Sequence, residues 1–158
     1  MILASALLLG LIENAIPPIV PALPFIKIGL SNIAVGFAAV VLGAPYAMLT
    51  AVLKSVVVPL MAGNPVMIPY SLTGGILSAA VTVTLVYSKK LSLPFIGILS
   101  AITHNFAQLV VAYAMTSTEA VFAYSPVLLI AAIVAGLATG TVLYILIKYL
   151  PEKALKIE

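Results

Sequence analysis

The amino-acid sequence predicts an all-α integral membrane protein, built as a bundle of six transmembrane helices. Hydrophobic residues make up 64% of the chain, charged residues make up only 7%, and the mean hydropathy is +1.31. Soluble domains contain about 25% charged residues, so a chain this apolar would not stay folded in water. The 158 residues accommodate about six spans of ~20 residues with short connections, which indicates a single transmembrane domain over residues 1–158.

Proline and glycine separate the first three predicted helices. Residues 1–16 form an apolar run that ends at four prolines within residues 17–24, where a helix cannot continue. The run has no basic residue at its start, so we interpret it as a helix and not as a signal peptide. Only a short turn around Gly43 divides the second helix, residues 28–43, from the third, residues 45–62.

Charged and polar residues bound the last three predicted helices. The fourth covers residues 69–87 and ends before the charged pair Lys89 and Lys90. The fifth covers residues 94–115 and the sixth covers residues 126–149. Each is a continuous apolar run that approaches the length needed to cross a bilayer, and each therefore predicts one span.

The lysine distribution predicts a multi-pass protein of the cell membrane with both termini in the cytoplasm. With six spans, the termini and the even-numbered loops share one side of the bilayer. The opposite side carries one lysine, Lys27, together with Glu119. Cytoplasmic loops of membrane proteins are enriched in lysine, so the lysine-rich side is assigned to the cytoplasm. The lysines on that side are Lys89, Lys90, Lys148, Lys153 and Lys156.

Small residues recur at spacings that favour close helix packing. Gly29, Gly36 and Gly43 follow one another every seven residues along the second helix, and Gly136 and Gly140 form a small-xxx-small pair in the sixth. Small side chains let helix backbones approach in a membrane, where lipid provides no hydrophobic drive for association. Internal packing is the simpler interpretation. Docking of a partner membrane protein, most plausibly on the first helix, is the alternative.

Lys54 lies inside the apolar run from Tyr46 to Met61. An ammonium at the centre of a bilayer costs at least ~2.5–3.5 kcal/mol, so a lysine is retained there only where it is used. One interpretation is an ion pair with Glu13, which would leave Lys27 as the free cation. The other is direct contact with a polar ligand, and the sequence leaves both open.

Polar side chains within the helices concentrate towards the outer side and the midplane of the membrane. When depth is counted at ~1.5 Å per residue, the polar groups in the inner halves of the helices are serine and threonine hydroxyls alone. A polar pocket that opens to the outside and is closed from the cytoplasm satisfies these groups. The predicted site residues are Glu13, Lys27, Asn32, Lys54, Ser71, Thr73, His104, Asn105 and Gln108.

The fifth helix carries a polar stripe formed by Ser100, His104 and Gln108, with Asn105 on its flank. Residues at i, i+4 and i+8 share one helix face, and this face cannot point to lipid. Ligand binding and an interhelical hydrogen-bond cluster both explain the stripe. A lone histidine without HxxxH spacing or an acidic cluster does not predict a metal site, and no cofactor is expected.

The segment from Pro17 to Pro24 is apolar and contains four prolines in eight residues. Proline disfavours helix and favours an extended, pre-ordered strand. We interpret this segment either as a stiff hydrophobic lid over the pocket or as a rigid spacer between the first two helices.

Four segments of the chain carry a family resemblance: Ile12-Glu13 with the proline-rich loop, Lys27 to Ile33, Ser71 to Gly75, and Thr103 to Gln108. Together they resemble the Gx transporter family, which is often labelled heptaprenyl diphosphate synthase component I. The family resembles the S components of energy-coupling factor transporters, and the resemblance covers nearly the whole chain in order. Two departures bear on partner docking, because Ala107 stands where glycine is expected and helix 1 lacks a clean Ala-x-x-x-Ala pattern.

This resemblance implies a six-helix bundle of S-component type with an outward-facing substrate site capped by the first loop. It also implies a transmembrane coupling subunit and two ATPase subunits as partners, in addition to the lipid bilayer and a small-molecule substrate. No nucleic-acid partner is expected. In such a site Lys27 would attract an anionic group, Asn32, Asn105 and Gln108 would form hydrogen bonds to the ligand, and His104 would lie at the pocket floor.

The composition argues against catalysis by this chain. Transfer of prenyl diphosphates requires carboxylates that hold Mg²⁺, and the chain contains no aspartate. It also has no Gly-x-x-x-x-Gly-Lys-Ser/Thr loop for ATP. The sequence thus predicts a non-catalytic, substrate-binding uptake subunit for a small amphiphilic, anionic solute such as a vitamin, a flavin-like compound or an isoprenoid-related compound. The alternative is a non-catalytic membrane accessory of isoprenoid or quinone biosynthesis or of another membrane complex.

Overall fold

The computed structural model describes residues 1–17 and 27–151, and in this part of the chain the only regular elements are helices. Every predicted helix is found within a few residues of its predicted bounds, which confirms the all-α class. The proline-rich lid or spacer, apart from Pro17, lies outside the described residues, as do Lys153 and Lys156. The α-helices are α1 (Ile2–Ala15), α2 (Leu30–Val41), α3 (Ala44–Met61), α4 (Ile68–Ser88), α5 (Leu93–Thr116) and α6 (Ser125–Lys148).

Four segments are long and apolar enough to cross a membrane. They contain α3, α4, α5 and α6, and short 3₁₀ turns extend α4 and α6 at their beginnings. The helices α1 and α2 are apolar but have only 14 and 12 residues. At a rise of ~1.5 Å per residue they reach about 20 Å, less than the ~30 Å of a bilayer core. The described structure thus supports four candidate spans, and the count of six stays a prediction.

Proline marks the beginning of four helices. Pro45, Pro69, Pro94 and Pro126 each lie in the first turn of α3, α4, α5 and α6. The first backbone N–H groups of a helix have no intrahelical partner, so a residue without an N–H costs nothing there. The predicted beginnings of these four helices therefore agree with the structure.

The sequence suggested that the seven-residue glycine repeat lies along one face of α2. In the structure the three glycines do not share a face of this helix. Gly29 has φ +84° just before the helix, and Gly43 has φ +97° in the turn to α3. Both adopt backbone conformations that side chains with a Cβ avoid. Only Gly36 lies within α2, where an added Cβ would be 2.6 Å from Leu143 Cδ2. The repeat combines one packing position with two turns.

The glycines of α6 do pack as the spacing predicts, against α5. A Cβ on Gly136 would lie 2.6 Å from the carbonyl oxygen of Gly97, and a Cβ on Gly97 would lie 2.3 Å from the carbonyl oxygen of Gly136. A Cβ on Gly140 would meet the carbonyl oxygen of Leu93 at 2.7 Å. The two backbones are therefore in direct contact over this half of the helix pair.

A cluster of alanines closes the bundle between α2, α3 and α4. Its members are fully or almost fully buried, and their small side chains leave no space between the helices. They lie one to three turns from the polar residues Ser31, Lys54 and Ser71 on the same three helices. The bundle is thus tightly packed at one end and polar at the other. The buried alanines are Ala38, Ala39, Ala47, Ala51 and Ala79.

We expect Thr118 and Ser88 to face opposite sides of the membrane. Both are exposed and lie beyond opposite ends of α5. Because the chain has no native cysteine, Thr118→Cys and Ser88→Cys can be labelled singly with an impermeant maleimide. In intact cells Thr118→Cys should react, and Ser88→Cys should react only after permeabilisation. The reverse pattern would show that the predicted orientation is wrong.

Candidate functional site

A polar cavity lies at the end of the bundle where α1 and α3 end and α2 and α4 begin. All six helices contribute to its lining, and its open volume is about 750 Å³, including the space at its mouth. Its apolar lining includes Val58, Met67 and Ala132. The charged and amide side chains that line it are Glu13, Asn14, Lys27, Asn32, Lys54, Asn105 and Gln108, joined by Ser31, Ser71, Tyr70 and His104.

The structure brings together eight of the nine predicted site residues. Thr73 is the exception, because it lies in a separate apolar groove between α4 and α5, beside Leu77 and Val110. Ser71 and Thr73 are two positions apart, which places them about 200° apart around the helix axis. They therefore cannot face the same cavity. The residues that line it as predicted are Glu13, Lys27, Asn32, Lys54, Ser71, His104, Asn105 and Gln108.

Lys54 is 5% exposed, in the middle third of α3. Its ammonium donates hydrogen bonds to Ser31 Oγ at 2.9 Å and to Asn32 Oδ1 at 2.5 Å. Within residues 1–17 and 27–151 it forms no contact ion pair. Glu13 is near enough for its charge to act on Lys54, but at a longer distance. The structure therefore contains long-range attraction, and not the direct Lys54–Glu13 pair considered from the sequence.

Glu13 instead connects α1 to the beginning of α2. It is 5% exposed, and its carboxylate accepts a hydrogen bond from the backbone N–H of Gly29. The positive φ of Gly29 turns this N–H towards the carboxylate, and an amide bound to a carboxylate forms a strong, charge-assisted hydrogen bond. The predicted acidic group thus holds the chain turn that carries Lys27 into the cavity.

Lys27 lies just before α2 and is the second cation of the cavity. Its ammonium donates to Asn14 Oδ1, and Asn14 Nδ2 donates to the carbonyl oxygen of Gly10 at 3.0 Å. Burial lowers the pKa of Lys27, and the carboxylate of Glu13 partly opposes this effect. Asn14 adjoins the predicted Glu13 in sequence, but nothing in its spacing indicated which lysine it would meet.

The polar stripe of α5 divides into two parts. Ser100 is buried against α4, where it accepts a hydrogen bond from Thr82 Oγ1 at 2.9 Å and donates to the carbonyl oxygen of Ser78 at 3.2 Å. His104 Nδ1 lies 3.3 Å from Ser78 Oγ and faces the cavity. The interhelical interpretation therefore describes Ser100, while His104 lies at the boundary between the hydroxyl cluster and the cavity.

The amides of α5 differ in how they are satisfied. Asn105 Nδ2 donates to the carbonyl oxygen of Leu128 in α6 at 3.4 Å. Gln108 is 5% exposed, and its Oε1 atom is buried without a hydrogen-bond partner in the described part of the protein. A buried acceptor left unsatisfied costs ~1–3 kcal/mol, so a donor from outside the chain would be bound favourably there.

The cavity contains binding groups but no constellation typical of metal sites. In the described ranges no three His, Cys, Asp or Glu side chains lie close enough together to hold a metal ion. The predicted site did not include Asn14, although its amide lies in an apolar helix, and it did not include Ser31 and Tyr70. Serine and tyrosine are common in membrane helices, so their types gave no signal, and their positions follow from how the helices meet.

A protein-family model described as heptaprenyl diphosphate synthase component I matches residues 2–146. The chain belongs to this family. The match contains α1 to α5 and nearly all of α6, together with every residue that lines the cavity, and it confirms the family resemblance seen in the sequence. No curated protein and no solved structure matches the chain.

The family description names one component of a synthase. It therefore implies a partner within a synthase complex. The four apolar helices are consistent with a membrane protein. The polar cavity and the four apolar helices therefore belong to a chain of the component I family. The description of this family implies work with another subunit.

Proposed function

We propose that this chain is the substrate-binding membrane subunit, or S component, of an energy-coupling factor type uptake transporter. Its substrate would be a small amphiphilic anion. The observation that carries the proposal is Lys54, a buried ammonium at the wall of a cavity, whose hydrogen bonds within the described residues go to neutral oxygens. Removing an ion from water costs several kcal/mol unless a counter-charge compensates, so an anion in the cavity would recover part of this cost.

The charge of the cavity supports a substrate with one negative charge. Lys27 and Lys54 contribute two positive charges and Glu13 contributes one negative charge, which leaves +1 with neutral His104. A monoanion would balance this charge. Gln108 Oε1 would in addition accept a hydrogen bond from an N–H or O–H of the substrate, which favours an acid that carries a donor group.

Transport agrees better than catalysis with the residue types present. The chain has no aspartate to hold Mg²⁺ on a diphosphate and no phosphate-binding loop for ATP. In this proposal the chain binds its substrate from outside, and a coupling subunit with ATPases supplies the energy. The six-span topology, the single domain and the cytoplasmic termini are parts of the same proposal.

The family description favours a second candidate function. A component of heptaprenyl diphosphate synthase would be a non-catalytic membrane accessory, associated with a catalytic partner of isoprenoid biosynthesis. The polar cavity would then contribute to assembly, and no solute would need to occupy it.

Purification from the native membrane distinguishes these two functions. We expect the protein, extracted in mild detergent, to retain an anionic small molecule that mass spectrometry detects, together with a larger membrane subunit and ATPases. Lys54→Met, purified in the same way, should retain the protein partners but not the anion. Recovery of a prenyl diphosphate synthase subunit with no retained anion would favour the accessory function and contradict the transport proposal.

A further inference from the structure

A second cavity lies between α5 and α6, directly beside the polar cavity. Its volume is about 260 Å³ when the open space at its mouth is included, and it is lined almost entirely by apolar side chains. Asn105 and Ala132 line both cavities, so the two adjoin at these residues. We call the second cavity the α5–α6 cleft; its outer lining includes Ile102, Phe106 and Leu129.

The cleft follows from how the two helices pack. At one end Gly97 and Gly136 bring the backbones into direct contact. Towards the other end Asn105 and Leu128 replace glycine, and a hydrogen bond of 3.4 Å from the Asn105 amide to the Leu128 carbonyl connects the helices. Larger side chains hold the backbones apart there. The helices are therefore tight where glycines meet and open where the polar cavity lies.

The cleft leads to the outside of the bundle. Phe106 is 57% exposed and Leu129 is 47% exposed. Exposed apolar side chains on membrane-spanning helices face lipid, so this end of the cleft is in contact with hydrocarbon. The polar cavity and the cleft thus adjoin at Asn105 and Ala132, and the cleft opens towards lipid at Phe106 and Leu129.

We infer that the substrate of the polar cavity carries a flexible hydrocarbon chain, and that this chain passes between Asn105 and Ala132 into the α5–α6 cleft. The inference rests on the proposed function and narrows it, because it names the substrate class as a single-headed anionic amphiphile. The head group is held by Lys54 and Lys27, while the chain stays in apolar surroundings and reaches lipid. A ligand arranged in this way avoids placing its chain among charged groups.

Continuity with the polar cavity distinguishes the cleft from the apolar groove between α4 and α5. The groove between α4 and α5 is larger, with an open volume of about 650 Å³. It shares no lining residue with the polar cavity, and Leu77 and Val110 lie in it but not in the cleft. A chain dissolved in lipid would reach this groove, whereas a chain anchored by its head group would reach the cleft.

Photolabelling tests the inference. Protein in lipid nanodiscs is exposed to decyl phosphate with a diazirine near the chain end, and to decanoate with the same group. Decanol with the diazirine is the uncharged control. We expect saturable labelling at Leu129 and Ser125 by an anionic probe, at least tenfold above the uncharged control. Labelling at Leu77 and Val110 should be weak and should rise linearly with probe concentration for all three.

Two variants separate the passage from the head-group site. Leu129→Trp fills the mouth of the cleft at an exposed position, and Ala132→Phe fills the passage. Leu129→Trp should lower labelling in the cleft at least tenfold while leaving the thermal stabilisation by phosphate or acetate, which have no long chain, unchanged. Ala132→Phe should lower both, because Ala132 also lines the polar cavity. Leu129→Trp keeps the test valid if Ala132→Phe does not fold. Lys54→Met should abolish both the labelling and the stabilisation.

The possible results separate the two proposals. Saturable binding of an anionic probe, sensitive to Lys54→Met but without labelling at Leu129 or Ser125, would overturn the chain path and leave the proposed function intact. Equal saturable labelling at Leu77 and Val110 would overturn it too. If neither anionic probe binds saturably and Lys54→Met changes nothing, both the substrate class and the proposed function are wrong.

Discussion

Replacing Lys54 by methionine is expected to weaken binding of the retained anion about 10- to 150-fold, which corresponds to the ~1.5–3 kcal/mol of a charge-assisted hydrogen bond. Methionine has a similar length but no charge, and the fold should therefore persist. Its melting temperature should stay the same or rise, because an apolar residue of similar volume often replaces a buried charge without loss of stability. Affinity and melting temperature are measured on the same preparation.

Lys90→Met is the matched control for this prediction. Lys90 is exposed in the connection between α4 and α5, and the same substitution there should change neither quantity. A second outcome for Lys54→Met would contradict its role in binding. If its hydrogen bonds to Ser31 and Asn32 serve only to join α2 and α3, stability will fall and affinity will not change. That outcome would remove Lys54 from the binding site.

Replacing Gly136 by valine is expected to prevent the native packing of α5 against α6. The first added carbon would lie 2.6 Å from the backbone of Gly97, which cannot move aside as a flexible side chain would. Overpacking in a core costs ~1–3 kcal/mol even when side chains can adjust, so a backbone clash should cost at least that much. The melting temperature in detergent should fall by several degrees, or folded protein should be lost.

Ala138→Val in the same helix provides the comparison, because Ala138 is exposed and has room for a larger side chain. This variant should purify and melt like the unchanged protein. A Gly136→Val protein with unaltered melting behaviour would mean that α5 and α6 are not in backbone contact. The geometry of the α5–α6 cleft would then need to be revised as well.

Most of the cavity could be predicted because polar groups are rare in this chain. In an apolar helix a lysine or an amide must face the interior of the bundle, and so Lys54, Asn105 and Gln108 were found from their types alone. Thr73 was placed incorrectly with them, because a threonine hydroxyl can bond to its own helix and tolerate a lipid-facing position. The packing of α4 against its neighbours decided which way Thr73 faces.

The partners of the charged groups could not be predicted. An ion pair between Glu13 and Lys54 was one of two open interpretations, but Glu13 accepts a hydrogen bond from the Gly29 N–H, and Lys27 reaches Asn14. These contacts join residues 13 to 16 positions apart in the chain, from α1 to the residues just before α2. Periodicity describes the faces of single helices and contains no information on where two helices cross.

The sequence by itself determined the all-α class, the positions of the helices and the polarity of the site. These properties depend on local composition, on proline and glycine at helix ends, and on the cost of polar groups in hydrocarbon. Only the tertiary structure decided which groups meet. Gly97 and Gly136 bring two backbones into contact at one end, and Asn105 and Ala132 lie between two cavities at the other. At each level of the bundle the distance between two helices depends on the side chains of both helices. The sequence of one helix specifies only its own side chains.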